Sequence, residues 1–141
     1  MNNYLEALLK KINIKEEYLP YFKNGILDKI IHIENKYIFN LELDSNLPYN
    51  IYIEFNDLLK NTFKDVDNIE LSLKVKEMKY IEDYYLNYLN NLDDKSFFIE
   101  NLKEIKPYLE NNYLILEVDS ILLSNKVNEI KVGLSKYLME K

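Results

Sequence analysis

Hydrophobic positions recur at two different spacings in the first half of the chain. Residues 3–12 carry leucine and isoleucine at i, i+3, i+4 and i+7, which predicts an amphipathic helix. The β-branched run of residues 26–34 and the alternating run of residues 37–43 then lie on either side of Asn35. Two such runs joined by a tight turn are typical of a β-hairpin.

A second helix and a third strand follow the hairpin. Pro48 suits the first turn of a helix, and either Ser45 or Asn46 would supply its cap. The apolar face of this helix comprises Ile51, Phe55, Leu58 and Leu59. Residues 69–75 alternate strictly between apolar and polar side chains, as a strand does. We therefore predict that residues 1–76 form an α+β unit, in which helices cover one face of a three-stranded antiparallel-type sheet.

Helical spacing resumes in the second half of the chain. One predicted helix carries a tyrosine-rich face, and Asp93 or Asp94 would cap the next helix. That second helix would present Phe98, Leu102, Ile105 and Leu109 on one face. Leu114, Leu116 and Val118 alternate as in a strand.

A long final helix, capped by Asp119 or Ser120, closes the second half. Its predicted inward positions are Leu123, Val127, Ile130, Leu134 and Leu138. Because one strand cannot form a sheet, we expect the strand of this helix-rich unit, residues 77–141, either to join the first sheet or to need a partner strand beyond Lys141.

Composition narrows the function classes. The chain has 141 residues, a net charge of −6 and no cysteine, which excludes disulfides and thiolate metal sites. All 18 basic side chains are lysine, so no arginine fork is present to read phosphate or guanine in a bidentate manner. No apolar run approaches the length of a membrane span. We expect a cytoplasmic protein without a membrane partner.

Catalytic groups are sparse. The single histidine, His32, lies in a predicted strand without an evident partner, and it is interpreted as a structural residue. Asp65 and Asp67 have the alternate spacing of a two-metal site, but they lie in turn-like company between a helix and a strand. No glycine-rich phosphate loop or nucleophile motif occurs. We expect no catalytic residue, no cofactor and no metal ion in this chain.

Two features indicate binding instead. The tyrosine-rich helix face, together with a nearby phenylalanine, is a candidate interaction surface, although packing is the commoner role of such a face. Its residues are Tyr80, Tyr84, Tyr85, Tyr88 and Phe97. Two groups of lysines are candidates for a nucleic-acid patch: Lys10, Lys11 and Lys15, and Lys126, Lys131 and Lys136.

Short apolar motifs follow one another along the chain in an order that resembles the sequences of a known family. In the first unit the motifs are Leu8–Ile12, Tyr21–Gly25, Ile30–Ile33, Lys36–Phe39, Leu47–Tyr49, Leu58–Phe63 and Ile69–Val75. In the second unit they are Asp83–Tyr85, Leu102–Pro107 and Tyr113–Ile115. Their order and spacing are similar to the start of the PolC-type DNA polymerase III alpha subunit. Tyr37 and Tyr85 stand where that family often has tryptophan.

The resemblance implies two small N-terminal domains ahead of the catalytic regions, the second of them KH-like and cut before its last strand. It further implies a non-catalytic module of a replicative polymerase that acts through replisome proteins. Two alternatives remain open: a KH-like nucleic-acid-binding module, and an unrelated stand-alone adaptor protein. The G-x-x-G loop with which a KH domain clamps nucleic acid is missing, because Gly25 and Gly133 lie far apart.

Overall fold

The computed structural model of the chain describes residues 1–93 and 96–139. Contacts between backbone positions separate two units, Met1–Lys79 and Tyr80–Lys141, and each is described by itself. No helix among the described residues has both the length and the apolar character that crossing a bilayer requires.

The first unit contains the predicted helices and strands and one further short helix. In chain order the elements are α1 (Asn3–Ile12), a 3₁₀ helix (Glu16–Phe22), β1 (Ile26–Ile33), β2 (Lys36–Ser45), α2 (Tyr49–Thr62) and β3 (Asn68–Glu77). The predicted hairpin is confirmed, since β1 and β2 pair antiparallel. The α+β class is confirmed as well.

The direction of the third strand differs from the expected antiparallel-type sheet. The strand order is β1-β2-β3, and β3 runs parallel to β2, with Phe39 beside Leu71. The 14 residues of α2 carry the chain back along the sheet, and such a crossover is what a parallel neighbour requires. The carbonyl of Asn35 accepts hydrogen bonds from the backbone N–H groups of Asp67 and Asn68, which places the start of β3 beside the start of β2.

Helices and one sheet face enclose the core of this unit. Alternate residues of β2 and β3 point toward the helices, and α1 contributes four buried apolar side chains. The largest fully buried side chains of the unit are Phe22, Phe39, Phe55, Leu5, Leu9, Leu41, Leu47 and Leu59. The opposite sheet face carries cross-strand ion pairs, such as Lys36–Glu70 at 2.6 Å. This division confirms the alternation predicted from the sequence.

The turn between β1 and β2 holds a non-glycine residue in the left-handed region, Glu34 with φ of 52°. Such a conformation costs an L side chain roughly 1–2 kcal/mol, whereas glycine adopts it freely. We expect Glu34→Gly to raise the free energy of unfolding by roughly 0.5–1 kcal/mol, because the relief of strain exceeds the added freedom of the unfolded chain. Urea unfolding followed by circular dichroism measures this. The control Glu82→Gly, inside a helix, should be destabilising.

The start of α2 departs from the predicted capping. The N-cap residue is Pro48, and no side chain caps this helix. Asn46 is fully buried and bonds to the backbone of Lys79 instead, while the Ser45 hydroxyl donates to the carbonyl of Asn46. The prediction that Ser45 or Asn46 caps α2 is therefore wrong.

The described residues of the second unit form three helices and two short strands. In chain order they are α3 (Ile81–Asn90), α4 (Phe97–Lys103), β4 (Tyr108–Glu110), β5 (Tyr113–Ile115) and α5 (Ile121–Met139). The predicted cap of α5 is confirmed for Ser120, whose hydroxyl accepts from the N–H of Leu123 at 3.1 Å. Ser96 occupies the N-cap position of α4, so Asp93 is not its cap. Asp94 lies outside the described residues.

Two expectations for this unit are wrong. The helix predicted to reach Leu109 ends at Lys103, ahead of Pro107, and Leu109 lies in β4. The lone strand has a partner within the unit, since β4 pairs antiparallel with β5. Asn111 and Asn112, both left-handed at φ of 51° and 67°, form the two-residue turn between them. Asparagine tolerates this conformation better than most residues, and it favours so tight a hairpin.

Candidate interaction surface

The tyrosines of α3 face mainly into the second unit. Tyr84 and Tyr85 are fully buried. The Tyr85 hydroxyl donates to the carbonyl of Leu102 at 2.7 Å, and burial raises the pKa of Tyr85 to about 12. A neutral, hydrogen-bonded phenol is compatible with a core position. Neither ring is accessible to a partner in this fold.

The other members of the predicted tyrosine surface lie apart from these two. The Tyr88 ring packs against Tyr137 at 5.3 Å, and Gly133 leaves room for its hydroxyl against α5. Tyr80 is half-buried at the N-cap of α3, with φ of 59°. Phe97 is 74% exposed. The structure thus does not bring the five residues together on one accessible surface, and contact of Phe97 with a partner stays a prediction.

The side chains considered as catalytic candidates make contacts that stabilise the fold. The His32 ring packs edge-on against Tyr37 at 4.6 Å. The Asp67 carboxylate accepts a hydrogen bond from the Asn35 side chain at 2.5 Å and so ties β3 to the hairpin turn. Among residues 1–93 and 96–139, no three His, Asp or Glu side chains are grouped closely enough to hold a metal ion.

Ion pairs offset much of the charge of the two lysine groups. Lys10 pairs with Glu6 at 3.7 Å, and Lys15 pairs with Glu54 at 3.6 Å. The third lysine of this group, Lys11, lies over the ring of Phe63 at 5.1 Å.

The second lysine group is on α5, where Lys126 pairs with Glu129 at 3.1 Å. Lys131 and Lys136 are exposed and make no ion pair within the described part of the chain. Within the residues that the structure describes, no carboxylate therefore offsets the charges of Lys131 and Lys136.

Helix α5 buries one narrow stripe. Ile130, Leu134 and Leu138 recur every four residues and are buried, and the helix contacts α3 and α4. Leu123 and Val127 continue this face and are half-buried. The inward face predicted from the sequence is confirmed.

The opposite side of α5 is an exposed stripe without charge. Its residues are Ile121, Asn125, Asn128, Val132, Ser135 and Met139. They recur with spacings of four and three residues, which is the repeat of a helix-pairing seam. The apolar members are 80%, 74% and 82% exposed at positions 121, 132 and 139 respectively. We call these six residues the outer face of α5.

Lysines flank the C-terminal half of the outer face of α5. At 100° per residue, Lys131 and Lys136 lie on opposite sides of the line through Val132 and Met139. These four residues and Ser135 line a shallow, open depression. Isolated exposed apolar residues are ordinary, but an aligned uncharged stripe between two lysines that have no ion pair among the described residues is a candidate interaction surface. The spacing of this stripe is present in the sequence, but its polar members make it less conspicuous than the inward face.

Comparisons with known proteins agree on one family. Residues 5–73 match the family model "DNA polymerase III polC-type N-terminus I". The chain is 26% identical over 137 residues to "DNA polymerase III PolC-type" of Bacillus subtilis (strain 168), which covers 89% of this chain and 10% of that protein. The protein of the same name from Pediococcus pentosaceus is 27% identical over 136 residues, covering 91% of this chain and 9% of that protein.

A third relative extends the same likeness. "DNA polymerase III PolC-type" of Latilactobacillus sakei subsp. sakei is 27% identical over 125 residues, which cover 82% of this chain and 9% of that protein. The chain thus spans about a tenth of the length of these curated relatives. No solved structure matches it significantly. The resemblance found in the sequence is confirmed: the chain is similar to the N-terminal region of PolC-type DNA polymerase III, and the match to the N-terminus I model lies within its first unit.

Proposed function

We propose that this chain is a non-catalytic, protein-interaction module of a PolC-type replicative DNA polymerase, working in the cytoplasm within the replisome. The observation that carries the proposal is the exposed, uncharged outer face of α5. The family supports the setting, since the relatives are DNA polymerases III. A stripe of this kind gains stability only when another apolar surface covers it.

Charge favours a protein partner over nucleic acid. The chain carries a net charge of −6, which repels a polyanion. Carboxylates pair with Lys10, Lys15 and Lys126, three of the six candidate phosphate contacts. A KH-like nucleic-acid-binding module therefore remains the second candidate.

Binding measurements test this proposal. The purified chain should bind one or more purified replisome proteins of the same organism in biolayer interferometry. Val132→Glu should weaken that binding at least about tenfold, since it buries a carboxylate in the contact. The matched control Ile33→Glu, at an exposed apolar position of β1, should leave the binding unchanged.

Two further assays separate the alternatives. Fluorescence anisotropy with single-stranded DNA should show no binding, because the net charge of −6 repels the polyanion. Low salt is the stringent condition, since any electrostatic affinity is greatest there. A primer-extension assay should show no nucleotide incorporation by the chain alone. Salt-sensitive DNA binding would favour the nucleic-acid module, and incorporation of nucleotides would overturn the non-catalytic proposal.

A further inference from the structure

We infer that the outer face of α5 receives an acidic amphipathic helix of a partner protein, laid alongside α5 as in a two-helix coiled coil. This inference rests on the proposed function and names the partner's chemistry. The observations behind it are the spacing of the exposed stripe, the charge on its flanks and the cost of covering it with a second copy of the same chain.

Spacing favours a helix as the occupant. Six positions with alternating steps of four and three residues run from Ile121 to Met139. At 1.5 Å per residue this seam is roughly 27 Å long. A straight seam of this repeat keeps facing a helical neighbour, while an extended peptide presents side chains at a different period.

Charge favours an acidic occupant. Lys131 precedes Val132, and Lys136 follows Ser135, so the two ammonium groups take the flanking g and e positions of a heptad. Neither has an ion pair among the described residues, although the chain as a whole is acidic. Glutamates at the flanking positions of a partner helix would pair with both, whereas lysines there would be repelled.

A second copy of this chain fits the seam poorly. In a parallel pair of α5 helices, Lys131 of each copy would oppose Lys136 of the other. In an antiparallel pair centred on residue 130, Lys131 of one copy would face Lys131 of the other copy. Glu129 of one copy would likewise face Glu129 of the other. Either arrangement sets like charges against each other across the seam.

The polar members of the seam set its register. Asn125 and Asn128 lie where two seams would meet, and a buried asparagine lacking a polar counterpart weakens the contact. A partner helix with a polar residue opposite these amides is therefore favoured over one that is apolar throughout. Val132 and Met139 supply the apolar contact in the half of the seam that the lysines flank.

A designed probe tests this inference on the whole 141-residue chain. The probe is a labelled helical peptide of about three heptads, with leucine at the seam positions, one asparagine and glutamate at the flanking positions. Fluorescence anisotropy should show saturable binding of this peptide and none of a matched peptide with lysine in place of glutamate. Lys131→Glu with Lys136→Glu should weaken binding about tenfold.

The controls make the result specific. Lys23→Glu with Lys29→Glu changes the net charge equally, at exposed positions that are not part of the seam, and it should leave the affinity within about twofold, since the long-range effect of exposed charges is screened by salt. Equal binding of both peptides, no binding of either, or equal weakening by the two double variants would overturn the inference. Sedimentation of the chain as a dimer that Val132→Glu dissociates would overturn it in favour of a second copy.

Failure of this inference is distinguishable from failure of the proposed function. If replisome binding persists after the Lys131 and Lys136 charge reversals, the acidic helix is contradicted as the occupant. The proposal of an interaction module is not affected by that result. The chain could instead bind the peptide with the expected charge dependence and bind no replisome protein. That result would contradict the proposed function and support the assignment of the outer face of α5 as a site for an acidic helix.

Discussion

Replacing Phe39 with alanine should lower the free energy of unfolding by about 3–5 kcal/mol, the range found for large aromatic side chains removed from a core. Phe39 is fully buried on the central strand β2. Its ring lies 5.3 Å from that of Phe63 and 6.3 Å from that of Tyr37. Truncation would therefore remove the apolar contact area and leave a cavity beside the rings of Phe63 and Tyr37.

Urea unfolding followed by circular dichroism measures the change. The matched control is Ile38→Ala, one residue earlier on the same strand, where the side chain is half-buried on the opposite sheet face. Its loss should be about 1 kcal/mol, since only part of an aliphatic side chain leaves contact. Equal losses for the two variants would contradict the assignment of the two sheet faces.

Residues 37–43 show why the first unit is largely predictable. Apolar and polar side chains alternate there, and one register alone buries Phe39, Leu41 and Leu43 together. The direction of β3 is harder, because the same alternation suits both parallel and antiparallel neighbours. What decides it is the crossover through α2, which the sequence does indicate, together with the two hydrogen bonds to the Asn35 carbonyl, which no spacing in the sequence reveals.

The second unit is less predictable because its strands are short. Three residues in β4 give no period to recognise, and Leu109 continues the helical spacing of Leu102 and Ile105 by coincidence. Pro107 is the local signal against that helix, since proline removes an N–H donor and crowds the preceding turn. The Asn111–Asn112 pair marks the turn that lets β4 fold back on β5.

The candidate surface was predictable only in part. Tyrosines at helical spacing indicate an amphipathic helix, but the spacing does not say whether the rings face the core or a partner. Burial of Tyr84 and Tyr85 settles that for two of them. The outer face of α5 escapes notice because Asn125, Asn128 and Ser135 dilute its apolar residues, and its character becomes evident only once the inward stripe is fixed.

Asn46 is a residue whose type indicates a hydrogen bond to the backbone, but whose partner the sequence does not identify. Asparagine before a helix usually caps it. Here the fully buried side chain donates from Nδ2 to the carbonyl of Lys79 at 2.7 Å and accepts from the N–H of Lys79 at 2.7 Å. The amide satisfies both groups of Lys79 because it carries a donor and an acceptor side by side. Asn46 thus holds the backbone just beyond β3 through a contact 33 residues away in sequence.

Asn46→Ala should therefore lower the free energy of unfolding by about 2–3 kcal/mol, because it removes two hydrogen bonds and leaves their backbone partners unmatched. The control Ser45→Ala should cost less than about 1 kcal/mol, since its half-buried hydroxyl makes one bond to the adjacent carbonyl. Urea unfolding with circular dichroism as the readout measures both. Equal effects of the two substitutions would contradict the role assigned to Asn46.

Asn46→Asp tests the direction of the two bonds. One carboxylate oxygen could still accept from the Lys79 N–H, but the other would face the Lys79 carbonyl without a proton to donate. Burial and this oxygen would raise the pKa of the new carboxyl in the folded state. The variant should therefore be close to wild type in stability below the unfolded pKa of about 3.9, and it should lose stability as the pH rises toward the folded pKa. A loss independent of pH would show that the contact between Asn46 and the Lys79 backbone is absent.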